Sequence, residues 1–162
     1  MEFFAFFYRL AFYGEQLFHH LHGWSDEAND YVAQSDRFPL IFSVTLGVCV
    51  LAFILYYFII DHPRANRWYF WLIPLGVVLF TGFGLAFGIV RTDMESGVIA
   101  ESLSNDIGMG NAILFGVYNG LLGGIFFLLL SALFRFPSRN SKHSPWPLLV
   151  TKLNNKGRKN YE

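Results

Sequence analysis

The sequence predicts an all-α integral membrane protein folded as a small helical bundle, and three observations support this prediction. Hydrophobic residues make up 54% of the 162 residues and charged residues only 15%, with a mean hydropathy of +0.38, whereas soluble domains carry about 25% charged residues. Nineteen Phe, eight Tyr and four Trp provide more aromatic surface than one small aqueous core can bury. The third observation is a set of long uncharged runs. Together these features exclude a soluble globular domain.

Three runs without a charged residue, 38–60, 68–90 and 107–134, are long enough to cross a bilayer. An α-helix rises about 1.5 Å per residue, so about 20 apolar residues cover the hydrocarbon core. We therefore expect spans at about 39–60, 71–90 and 112–134, with a loop at 91–111. In that loop, Thr92 to Glu95 fits a capping box, which predicts the start of a short surface helix.

The N-terminal segment, residues 1–22, is apolar over its first half and amphipathic over its second half. Arg9 and Glu15 interrupt it, and a charge at the centre of a span costs about 2.5 to 3.5 kcal/mol on insertion. Two interpretations stay open: a helix lying in the membrane interface, or a fourth span stabilised by the other three.

The neutral net charge conceals a strong segregation of basic from acidic residues. The loop after the first span and the tail 135–162 hold most of the Lys and Arg, whereas segment 23–38 and the loop 91–111 hold most of the acids. By the positive-inside rule, the tail is cytoplasmic and the acidic segments are external, in a plasma or inner membrane.

Glycines four residues apart predict close helix packing in the third span. Such glycines align on one face and let a second backbone approach, and a polar side chain in lipid needs a hydrogen-bond partner. Either the second span packs there within the chain, or copies of the chain associate through this face. The predicted packing residues are Gly84 and Gly88 in the second span and Gly116, Asn119, Gly120, Gly123 and Gly124 in the third.

One N-terminal cluster has the composition of a metal site. Glu15, His19 and His22 fall on one side of a helix, and carboxylate with imidazole at that spacing suits zinc, copper or iron. The alternative is that these residues form the polar face of an interfacial helix and that the protein has no cofactor. The three spans contain no Asp, Glu, Lys, Arg or His, which argues against a proton relay or a bis-histidine haem between them.

The basic tail offers a second possible interaction site. Its main apolar cluster surrounds Trp146, and either the tail is largely disordered or this part contacts anionic lipid or a partner protein. Nucleic-acid binding is not expected, because no recognisable binding fold accompanies these charges. The residues proposed for lipid or partner contact are Trp146, Lys152, Lys156, Arg158 and Lys159.

No catalytic motif such as a P-loop, nucleophile elbow or zincin helix is present in the sequence. We therefore expect a non-catalytic subunit or anchor of a membrane complex or homo-oligomer, assembled through the glycine-rich third span. One alternative is an oligomeric channel or pore lined by the third span. A further alternative is a metal- or haem-handling membrane subunit that uses the N-terminal Glu and His cluster.

Overall fold

The computed structural model describes residues 2–9, 13–25, 30–31, 36–59, 68–96 and 101–133. The predicted contact residues of the tail, from Trp146 onward, lie outside these ranges. The helices are α1 (Glu2–Arg9), α2 (Glu15–Leu21), α3 (Phe38–Ile54), α4 (Leu72–Glu95) and α5 (Glu101–Leu133). A two-residue antiparallel pair, β1 (Trp24–Ser25) with β2 (Asp30–Tyr31), follows α2.

Among the described residues, three helices are long and apolar enough to cross a membrane: Phe38–Phe58, Leu72–Glu95 and Ile107–Leu133. This confirms the prediction of three such helices. At the start of the first, the Asp36 carboxylate accepts the Phe38 N–H at 3.0 Å. Pro39 lies in the first turn, where a backbone N–H would have no partner within the helix, so proline costs no hydrogen bond there. It continues beyond Ile54 as a π-helical turn over Leu55–Ile59.

The loop between the second and third spans differs from the prediction. Residues Thr92 to Glu95 form the last turn of α4 instead of starting a new helix, because α4 continues past Val90 and the Ser96 N–H donates to the Thr92 carbonyl. Helix α5 then starts at Glu101 and is interrupted at Gly108, where φ is 64°. Glycine suits this position because a side chain disfavours positive φ.

The N-terminal segment, which we define as the described residues 2–9 and 13–23, contains two short helices. Gly14, with φ of 94°, directly precedes α2, and neither α1 nor α2 approaches the length of a span. Tyr8 stacks on Phe38 with ring centroids 4.8 Å apart, and Phe4 contacts Phe42 at 5.4 Å. Helix α1 therefore runs antiparallel to α3 and packs on the bundle, and a fourth span is not confirmed.

Buried apolar side chains form one cluster towards each end of the bundle. The first joins the N-terminal segment to α3, α4 and α5 through residues such as Tyr8, Phe38 and Phe115. The second joins the end of α3 to α4 and α5 through Tyr57 and Phe127, together with other side chains. The N-terminal segment thus covers one end of a three-helix bundle and contributes to its core.

Candidate functional site

Asn119 lies near the middle of the third candidate span and joins four helices. Its amide group donates to the Thr45 hydroxyl at 3.0 Å and to the Gly82 carbonyl at 2.8 Å, and its carbonyl oxygen accepts the Tyr8 hydroxyl at 2.8 Å. Asn119 and Tyr8 are fully buried. We call these four residues the Asn119 network. Because its amide atoms have partners from α1, α3 and α4, Asn119 acts within this chain as an interhelical link.

Two tyrosines attach the end of α1 to the bundle. The last carbonyls of a helix have no partner within it, and here the Tyr118 hydroxyl donates to the Phe7 carbonyl and the Tyr13 hydroxyl to the Tyr8 carbonyl. Burial raises the pKa of the Tyr13 phenol above its ordinary value, so this hydroxyl keeps its proton and remains a donor. The end of α1 is therefore held by hydrogen bonds as well as by aromatic packing.

The glycines of α5 lie against the neighbouring helices of the same chain. A Cβ atom on Gly120 would lie 2.7 Å from the Leu79 carbonyl oxygen, and one on Gly116 would lie 2.9 Å from the Phe83 ring. A Cβ on Gly124 would lie 2.9 Å from the Leu79 side chain, and one on Gly123 would lie 3.0 Å from the Thr45 side chain of α3. The glycine face of the third span is therefore occupied by α4 and, at Gly123, by α3.

On α4, the glycine that packs against α5 is Gly82, in place of the predicted Gly84 and Gly88. A Cβ on Gly82 would lie 3.2 Å from the Gly120 Cα, whereas a Cβ on Gly84 or Gly88 would meet no atom within 4 Å among the described residues. The physical reason is helix phase, since α4 turns Gly82 towards α5 and turns Gly84 to its exposed side.

A second polar cluster lies where α2, α3 and α4 meet. Asp93 is buried, with one carboxylate oxygen 3.4 Å from His20 Nε2 and the other 3.5 Å from Arg37 Nη2. Asp36, which precedes Arg37 in the chain, faces His22, with Oδ2 3.5 Å from Nδ1. We call Asp36, Arg37, Asp93, His20 and His22 the His–Asp cluster. Buried carboxylates require such partners, because desolvation of a lone charge is costly.

The predicted metal ligands do not converge. Glu15 and His19 are 3.7 Å apart on the exposed side of α2, whereas His22 turns away to Asp36. In the ranges given above, no group of three His, Cys, Asp or Glu residues is placed to hold a metal ion.

Sequence reasoning missed the residues that join the N-terminal segment to the bundle. Tyr8 gave no local signal of its partner, which lies 111 residues away, and Asp93 resembled an ordinary charge at a helix start. His20 belonged to the conspicuous histidine cluster, but its partner Asp93 is 73 residues distant.

The sequence matches no known family model, and neither a curated protein nor a solved structure is significantly similar to it.

Proposed function

We propose that the chain is an integral membrane protein that serves as a non-catalytic subunit or anchor of a membrane complex or homo-oligomer. The observation that carries this proposal is the division of its small residues into two sets. Gly82, Gly116 and Gly120 are used for packing within the chain, whereas a Cβ on Gly84, which is exposed, or on Gly88, which is half-buried, would meet no described atom within 4 Å. A pair of glycines four apart on a lipid-facing helix suits the close approach of a helix from another subunit.

This proposal moves the assembly surface from the third span, where it was expected, to α4. The exposed side of α4 also carries Thr81 and the Phe80 ring, which is 79% exposed. The orientation follows the charge segregation, with the basic tail cytoplasmic and the His–Asp cluster external. The eight residues of α1 rise by about 12 Å, which is less than half of the hydrocarbon core. In that orientation, α1 lies in the external half of the bundle.

The bundle interior favours a structural role over a pore through one chain. The amide atoms of Asn119 are taken up by Tyr8, Thr45 and Gly82, and the third span places its glycines against α4 and α3 rather than towards a conduit. A pore lined by this face of several copies would require these internal contacts to be broken.

Mass measurement in mild detergent tests the proposal. We expect the native chain to purify as a homo-oligomer or with bound partners, and Gly84→Leu combined with Gly88→Leu to reduce that mass to the monomer. Gly47→Leu is the matched control, since Gly47 is exposed with open space around it but lies on α3, and it should leave the assembly intact. A native chain that is strictly monomeric in native-lipid particles, with no partner, would show that the proposal is wrong.

A further inference from the structure

The outward side of α4 carries a row of residues at the spacing of a contact between two helices. At about 100° per residue, the row falls within an arc of about 80° and proceeds in steps of three or four residues, as in helices that pack along their length. It extends over about 33 Å, which is enough to cross the hydrocarbon core. We call this row the α4 seam. Its members are Ile73, Val77, Phe80, Gly84, Gly88, Arg91 and Glu95.

The apolar part of the α4 seam is largely uncovered by the chain itself. Ile73 is 57% exposed, Val77 51% and Phe80 79%, and a Cβ on Gly84 or Gly88 would meet no described atom within 4 Å. The large Phe80 ring precedes the space at Gly84 by one helical turn. A ring from one helix can therefore lie beside the glycine of a second helix that has the same sequence and direction.

The α4 seam ends in two exposed charges of opposite sign. Arg91 and Glu95 lie one turn apart, with Nε 2.7 Å from Oε1, and their side chains are 54% and 64% exposed. Such a row is complementary to a second copy of itself, because a two-fold axis brings Arg91 of each copy close to Glu95 of the other. Copies of one chain insert with the same topology, so their α4 helices are parallel, as this pairing requires.

We propose that the partner of the α4 seam is a second copy of this chain, in a parallel two-fold dimer. This inference rests on the proposed function and names the partner for its assembly surface. Phe80 of each copy lies beside Gly84 of the other, and at the charged end two arginines meet two glutamates. The glycines allow the close approach, whereas the charges set the register and favour a second copy over an unrelated apolar helix.

Charge exchange between two tagged, co-expressed full-length chains tests the inference. Arg91→Glu places four acidic groups at the end of the seam and Glu95→Arg places four basic groups there, so each variant alone should dimerise about tenfold more weakly than the native chain in detergent. Together they should form mixed dimers well above the statistical half, because every charge then meets an opposite one. Glu15→Arg makes the same charge change on α2 and should leave dimerisation unchanged.

Oxidative cross-linking in native membranes measures the contact directly. In a Cys49→Ser background, Val77→Cys lies in the α4 seam and should form a covalent dimer, since a disulfide requires Cβ atoms within about 4.5 Å. The control is Leu121→Cys on α5, because Leu121 is 56% exposed and Val77 is 51% exposed. It should remain monomeric under the same treatment.

Two results overturn the inference: mixing at the statistical proportion, or cross-linking that is equal at Val77 and Leu121. The fate of the proposed function is read separately from the mass of the native chain. If that chain carries a different protein, which the variant with leucine at both Gly84 and Gly88 loses, the proposed function stands and the second copy is wrong. A native chain that is monomeric and without a partner contradicts both.

Discussion

Single polar residues decide how the helices of this bundle are arranged. A polar side chain in an apolar interior is stable only where its hydrogen bonds are made, and Asn119 meets this condition by bonding Tyr8, Thr45 and Gly82. Apolar packing alone tolerates sliding and rotation, whereas these bonds specify one register. The Asn119 network therefore fixes both the depth of α1 and the rotation of α5.

Replacing Asn119 tests this role. Asn119→Ala removes the amide and leaves the Tyr8 hydroxyl without its acceptor, so we expect the free energy of unfolding in detergent to fall by about 1 to 3 kcal/mol. Thr45→Val removes one hydroxyl and should cost about 0.5 to 1.5 kcal/mol. The control is Ser43→Ala, an exposed site on the same helix, with a change within about 0.5 kcal/mol. Equal effects at Asn119 and Ser43 would contradict the assignment.

At the scale of elements, α4 and α5 are the most closely packed pair of helices in the bundle. Gly82 lies against Gly120, and Gly120 itself lies against the Leu79 carbonyl. Within a membrane, dispersion forces and weak backbone contacts take over the role that the hydrophobic effect has in water. The absence of a side chain at Gly120 is therefore what lets the two backbones meet.

A single added methyl group measures this packing. In Gly120→Ala the new Cβ would lie 2.7 Å from the Leu79 carbonyl oxygen, so α4 and α5 must separate, and we expect a loss of about 1 to 3 kcal/mol in thermal or denaturant unfolding in detergent. Gly76→Ala adds the same group to α4, where no described atom lies within 4 Å, and should be neutral or slightly stabilising. Two equally stable variants would show that the α4–α5 contact tolerates separation.

At the scale of the whole molecule, hydropathy predicted the three long helices because about 20 consecutive residues decide whether a helix can cross a bilayer. Glycine spacing is likewise a local signal, because it depends on residues four apart in one helix. Neither signal indicates the rotation of one helix relative to another, so the contact of Gly82 with Gly120 cannot be deduced from glycine spacing. The contact of Asp93 with His20 depends on the path of the chain at Gly14 and on tertiary packing, which no short-range pattern records.

Charge segregation predicts the orientation of the whole molecule, because basic loops are retained on the cytoplasmic side. In a Cys49→Ser background, which removes the single native cysteine, Glu15→Cys should react with a membrane-impermeant maleimide in intact cells. Lys142→Cys, in the basic tail, should react only after the membrane is permeabilised. The parent without cysteine gives the background at each step. The reverse pattern would place the tail outside and the His–Asp cluster in the cytoplasm, and would contradict the orientation that the charge segregation predicts.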